Sequence, residues 1–246
     1  MLCPGSSSLA PSAAHTRRRL ALLLQLAATG AVLGWLPGNA MKLAAMLVVW
    51  GIGFRRISRR ELMIMAGVNL LFSVMDLGAL RNGVFRFSYP DFLGLPVYEF
   101  FMWGFLTLHA LRFIGAVPAR PRLVLSVALA ALFAIPFATI HQPMMLFWTS
   151  SIVLIASLAV FRDPVDFAYT GYLIAVGCVI EYVGVWTGQW VYPGAPPGGV
   201  PLWFIPMWGG VGLFTGRLLA PLMVPQVPAG AYSGRGRCSL GDKSIL

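Results

Sequence analysis

Three carboxylic acids in this chain stand inside apolar runs, where ionisable groups are rare. Asp76 and Glu181 each precede by seven residues a glycine, Gly83 or Gly188, at the end of a hydrophobic segment, and Glu99 follows Pro96 by three residues at the start of another. At 1.5 Å per residue the first two lie about 10 Å below their helix ends. A carboxyl in hydrocarbon costs about 3 kcal/mol on insertion scales, so it faces a bundle interior and does something there. The chemistry on offer is proton transfer, with Glu99 or Asp76 as the donor and Glu181 as partner acid or final base. The plainer alternative is structural: Asp76 and Glu181 hold the fold by hydrogen bonds, and Glu99 is an N-terminal acid favoured by its helix dipole.

Aromatic residues crowd the same region, among them Phe85, Tyr98, Trp103, Trp190, Tyr192 and Trp208. Such rings form an interfacial belt in many membrane proteins, or a pocket whose π-faces stabilise a cation. Trp103 and Trp208, inside the apolar runs, are the leading candidates for ring faces around a substrate. Gly177, Glu181, Gly184 and Gly188 recur on one helical stripe and predict close approach of a neighbouring helix. Asn69, Ser73 and Asp76 make a second polar stripe. Glu61, Asp91, Asp163, Asp166 and Asp242 fall in short loops or tails and are expected in solvent. Arg112 and Arg217 are expected to snorkel to the interface, and His109 to be a satisfied packing residue. The chain has no HExxH, Walker loop, GxSxG or aspartate-rich DDxxD motif, and Cys3, Cys178 and Cys238 share no motif spacing. No metal site, cofactor or disulfide framework is therefore expected.

The elements that must position these residues repeat. Asp76–Arg112 aligns without a gap on Glu181–Arg217, 105 positions later, with eight of 37 positions identical. Chance gives about three for a composition this biased. The identities include Gly83/Gly188, Pro96/Pro201, Met102/Met207, Trp103/Trp208, Gly104/Gly209 and Arg112/Arg217, and Asp76/Glu181 keeps an acid. Glu99 has no acidic counterpart, since position 204 is Phe. An internal duplication follows.

Composition sets the surroundings. The 246 residues are 58% hydrophobic and only 11% charged, with mean hydropathy +0.78, against about 25% charged in soluble domains. Eight apolar spans, near 20–36, 41–54, 62–82, 97–117, 122–140, 143–161, 167–187 and 203–224, predict an all-α integral membrane protein of two parallel four-helix repeats. The expected organisation is a disordered basic tail at 1–19, repeats at 20–118 and 122–224, and a cytoplasmic tail at 225–246. The first span resembles a signal peptide but is expected to be retained, because it aligns with an apolar segment of the second repeat. Fifteen of the 18 Lys and Arg residues fall on one side and three (Lys42, Arg81, Arg86) on the other, which puts both termini in the cytoplasm. The net charge of +10 then reflects inner loops facing anionic lipid, as in a bacterial-type plasma membrane, and not a nucleic-acid partner. The loops 83–96 and 188–202 face outward and are expected to form a tight structure at the interface. Nothing in the sequence fixes an oligomeric state.

Asp76, then Asn82-Gly83-Val84-Phe85-Arg86-Phe87, then Gly94-Leu95-Pro96-Val97-Tyr98-Glu99-Phe100-Phe101 resembles the small membrane lycopene cyclases of the heterodimeric and fused type. In those proteins an acid precedes a G-x-W/F-x-F/Y segment and a Pro-x-Glu-Glu followed by aromatics. The second stretch, Glu181-Tyr182-Val183-Gly184-Val185-Trp186-Thr187-Gly188, is similar to the E-x-x-G-V-x-T-G segment of the membrane carotenoid hydratases. The two blocks cover about 75 of 246 residues. Tyr98 stands where the cyclases have the first glutamate of their pair, and Gln189-Trp190-Val191 where the hydratases have Pro-Phe-Gly. The resemblance implies metal-free chemistry on a lycopene-like polyene, in which a carboxylic acid protonates a terminal alkene and the cation is quenched by ring closure or by water. The lipophilic substrate would enter sideways from membrane lipid. A non-enzymatic transporter or assembly factor with proton-linked buried acids is the rival expectation.

Overall fold

The computed structural model describes residues 13–120, 122–195 and 199–223. The expected tail 225–246, with Asp242, lies outside them. The described chain is almost entirely helical: α1 (Ala13–Trp35), α2 (Asn39–Phe54), α3 (Arg59–Arg81), α4 (Glu99–Ile114), α5 (Leu123–Thr139), α6 (Pro143–Phe161), α7 (Pro164–Trp186), α8 (Phe204–Phe214) and α9 (Ala220–Met223). A π-helical turn, Thr215–Leu219, joins α8 to α9. Seven of the eight expected spans each overlap one helix, and the eighth, 203–224, overlaps α8, the π-helical turn and α9. Three helices, α3, α6 and α7, are long and apolar enough to cross a membrane, whereas α2 and α5 are apolar but shorter.

Local sequence explains where the helices begin and end. Ser58 caps α3 in a reciprocal box: its Oγ accepts from Glu61 N at 3.2 Å, and Glu61 Oε2 accepts from Ser58 N at 2.8 Å. Asp163 caps α7, accepting from Val165 N at 3.0 Å, with Pro164 at the first helical position. Gly115 ends α4 with φ 64°, the left-handed conformation glycine adopts without cost. One expectation fails at the start of the chain. Helix α1 begins at Ala13, so Arg17, Arg18 and Arg19 belong to a helix and not to a disordered tail. Ala, Leu and Arg are strong helix formers, and the apolar run behind them lets the helix propagate backwards.

The helices pack in four pairs: α1 on α2, α3 on α4, α5 on α6 and α7 on α8. Helix α1 also lies on α7, burying Thr29 and Leu33 completely, and Trp50 Nε1 of α2 donates to Thr29 Oγ1 at 3.1 Å. Outward faces are apolar. Leu70 and Leu71 on α3 and Ile152 and Ile155 on α6 are more than half exposed, as expected of surfaces that meet lipid and not water. The α3–α4 and α7–α8 loops meet in a two-stranded antiparallel ribbon, β1 (Arg86–Phe87) with β2 (Trp190–Val191), in the register Arg86↔Val191 and Phe87↔Trp190. Ser88 N continues it to Gln189 O at 2.9 Å. The tight structure expected of these loops is this ribbon. It ties the α3–α4 loop to the α7–α8 loop.

Candidate functional site

Under the ribbon lies a small cavity, about 70 Å³, enclosed by side chains from α3, α4, α7, α8 and both strands. Asp76, Glu99 and Glu181 all line it, together with Phe85, Trp103, Trp190, Tyr192 and Trp208. Eight of the nine residues singled out from the sequence therefore converge. The exception is Tyr98, which is buried outside the cavity, its ring 5.6 Å from Lys42 Nζ. One position before Glu99 on the first turn of α4, it points to a different side of the helix. Phe87 and Trp203, counted in the sequence only among the aromatic crowd, line the cavity too, as do Met102, Ile180 and Met207. Met102 and Met207 were legible in principle, since they form one of the 105-spaced identities.

Each acid has its own surroundings. Glu181 accepts three bonds: from Trp208 Nε1 on Oε1 at 3.1 Å, and from Trp190 Nε1 at 3.1 Å and Tyr192 OH at 2.7 Å on Oε2. All three partners are donors, the arrangement that suits an acceptor-only carboxylate. Burial, and next the Glu181 charge, push the Tyr192 phenol well above its usual range, so it stays a donor. Asp76 accepts one bond, from Trp103 Nε1 at 2.9 Å. Glu99 is 4% exposed, and its Oε2 has no hydrogen-bond partner among the described residues. A buried, unpartnered carboxyl oxygen at a cavity wall is costly, and such groups mark sites of use.

The glycine stripe of α7 admits a neighbouring helix, α8, as its spacing suggested, and it also seats two indoles. A Cβ on Gly177 would lie 2.2 Å from the Trp208 ring, and one on Gly184 would lie 2.1 Å from Trp190. The glycines make room for two indoles, and Glu181 between them receives both N–H groups. Gly188 is not part of this cradle: it has φ 70° at the helix end and nothing within 4 Å of a built Cβ. On α3, Asn69 Oδ1 accepts from Gly104 N at 2.6 Å, and a Cβ on Gly104 would meet Met65 O at 2.6 Å, so α3 and α4 approach closely too.

Ring stacking also corrects an expectation. Trp103 stacks on Phe72 (centroids 4.2 Å) and on Trp208 (5.0 Å), so both its faces are covered and it offers the cavity an edge. Phe85, Phe87, Tyr192 and Trp203 line the cavity as well and meet one another edge-on or tilted, not stacked.

At the opposite end of the bundle, Arg112 and Arg217 do not snorkel. Arg112 Nε donates to Glu61 Oε1 at 2.7 Å, and its other nitrogens donate to Phe54 O and Arg56 O. Arg217, 1% exposed, forms a two-pronged pair with Asp166, with Nε to Oδ1 at 2.7 Å, and lies 4.0 Å over the Phe161 ring. Glu61 and Asp166 are thus buried partners and not solvated loop acids. A lone guanidinium near an apolar helix end is stabilised more by a carboxylate fork than by stretching to water. The signal that would have found them is the offset: Glu61 and Asp166 are 105 apart, as are their partners. Asp163 is also engaged, as the α7 cap and by Ala119 N at 2.8 Å, and Asp91 accepts from Val97 N at 2.9 Å. His109 is a satisfied packing residue, 2.6 Å from Tyr172 OH and 3.3 Å from Gln25 Oε1. Among the described residues no group of three His, Cys, Asp or Glu side chains could hold a metal.

The fold and cavity define a helical protein with membrane-type surfaces and an acid-and-aromatic chamber at one end. Comparison with family models, with curated proteins and with solved structures gives no match to this chain.

Proposed function

We propose that this protein is an intramembrane isoprenoid cyclase or hydratase that starts its reaction by protonating an alkene. The observation that carries the reading is the contrast among the acids: Glu99 is buried at the cavity with a free oxygen, while Glu181 is held by three donors. Glu99 is the proton donor. Its O–H bond breaks as the alkene π pair takes the proton, leaving a carboxylate on the protein and a tertiary carbocation on the substrate. Phe85, Phe87, Tyr192 and Trp203 face the cation, and the fixed Glu181 carboxylate stabilises its charge. A second alkene then closes a ring and a neighbouring carbon loses its proton to Asp76, which has only one hydrogen bond; in a hydratase, water adds and loses the proton instead. A cavity of 70 Å³ is about half the size of the engineered one that admits benzene. To take the end of a prenyl chain it must widen, with the rest of the chain in lipid.

In this reading eight segments, α1 to α7 and the run from α8 through α9, cross the membrane as two parallel repeats, with both termini cytoplasmic. Residues 105 apart supply the support: Arg86 pairs with Val191, Trp103 stacks on Trp208, each tryptophan donates to an acid 27 positions earlier, and Ser58 and Asp163 cap corresponding helices. The transporter alternative asks for acids open to both sides. The two acids at the other end, Glu61 and Asp166, are locked to arginines, which favours the enzyme.

The test is expression in hosts that make lycopene or shorter polyprenyl compounds, followed by extraction and mass analysis. A new product of unchanged mass means cyclisation, and one heavier by a water means hydration. Unaltered isoprenoids in every host would remove the reading.

A further inference from the structure

A second cavity, of about 300 Å³, lies at the N-terminal end of α7, the end opposite the ribbon. At 23 residues α7 is about 34 Å long, so the two cavities sit on opposite faces of the bundle. The second one is lined by Arg120, Arg122, Arg162 and Arg217, with Asp163 as the single acid. The carboxylates nearby are already used: Asp163 holds Ala119 N and Val165 N, and Asp166 neutralises Arg217. Among the described residues the ion pairs are Arg112–Glu61 and Arg217–Asp166, so Arg120, Arg122 and Arg162 line the cavity outside any ion pair, with Arg162 Nε donating to Ala159 O at 2.7 Å. Arg122 and Arg162 also adopt φ of 48° and 55°, where glycine is the usual residue. The first half lacks this set, since positions 15 and 57, the counterparts of Arg120 and Arg162, are His and Ile.

We propose that this cavity binds a phosphate group. Guanidinium forks match phosphate oxygens two at a time, and three unpaired arginines above a neutralised fourth give a concave, strongly positive bowl. Basic pockets between helix ends at a membrane face suit lipid head groups, while a free phosphate or diphosphate offers the same oxygens. The proposal does not depend on the chemistry of the first cavity.

The experiment uses the full chain in neutral detergent and follows its melting temperature with three probes: phosphatidic acid, phosphatidylcholine of the same acyl chains, and inorganic pyrophosphate. Phosphatidic acid is expected to raise the midpoint by at least about 3 °C, and phosphatidylcholine to leave it in place. Pyrophosphate acting as well would identify a free phosphate site, and phosphatidic acid acting alone a lipid head-group site. The double substitution Arg120→Gln/Arg122→Gln, and separately Arg162→Gln, should abolish the shift. Arg55→Gln/Arg59→Gln, which removes the same charge elsewhere, should retain it. Equal shifts with the zwitterionic lipid, an unchanged shift in the Arg120/Arg122 variant, or no shift with either phosphate probe would overturn the proposal.

Discussion

At Glu181 three donors converge, from Trp190, Tyr192 and Trp208; at Asp76, 105 positions earlier, a single indole arrives, from Trp103. The difference is written in the neighbouring side chains. Where the second centre has Trp190 and Tyr192, the first has Phe85 and Phe87, which have no polar hydrogen to give. The helices have adjusted to match. Gly184 makes room for the Trp190 indole, while the corresponding position 79 is Ala and that of Trp190 is the smaller Phe85; Gly177 accommodates Trp208, while the corresponding Phe72 stacks on Trp103. One centre is saturated with hydrogen bonds and the other is not, and Glu99, which has Phe204 as its counterpart, adds a further free oxygen on the unsaturated side. What positions 105 apart share packs the helices, and what they do not share sets how fully each acid is hydrogen-bonded.

The buried ion pairs give the strongest test of the shared part. Arg217→Met leaves Asp166 charged and without its partner in a fully buried place, and should cost about 3–5 kcal/mol, read as loss of folded protein or a large fall in melting temperature. Arg112→Met should cost clearly less, because its pair with Glu61 keeps side-chain exposures of 13% and 10%. Equal losses would mean that the difference in burial is immaterial.

The glycine cradle comes next. Gly184→Ala forces a methyl against Trp190 and should destabilise by about 1–3 kcal/mol, with Gly184→Leu worse. Gly78→Ala, with nothing within 4 Å of the added carbon, should be neutral or slightly stabilising in the same melting experiment. A smaller change makes the second centre resemble the first. Tyr192→Phe removes one donor from Glu181 at nearly constant shape and should cost about 1–2 kcal/mol. If its melting temperature equals that of the parent, the third donor contributes no stability.

Much of this was legible in the chain before any coordinates. The membrane-type helices were marked by apolar runs, and the cavity acids by their isolation within those runs. The rest depended on contacts distant in sequence. The ribbon is only two residues a side, too short for an alternating pattern, and pairs positions about 105 apart. Glu61 and Asp166 looked like loop acids because each finds its arginine 51 residues later, on another helix. The α7 stripe gave the right face and a neighbouring helix, α8, whose Trp208 packs on Gly177, but its spacing did not show that Gly184 makes room for Trp190 of the ribbon. The covered faces of Trp103 had no sequence signal, since Phe72 reads as one more lipid-facing apolar residue.

The claim that the unshared Glu99 starts the chemistry is tested most directly by Glu99→Gln in a host that supplies the isoprenoid substrate. Glutamine keeps the shape of the side chain and has no acidic proton to give. Product should fall by about 10²–10⁴-fold, the usual contribution of a general acid, while the purified variant melts at the parental temperature. Asp76→Asn and Glu181→Gln, measured alongside, should lower stability together with activity, because their carboxylates also hold Trp103, Trp190, Tyr192 and Trp208. Full product formation by a stable Glu99→Gln protein would contradict the account.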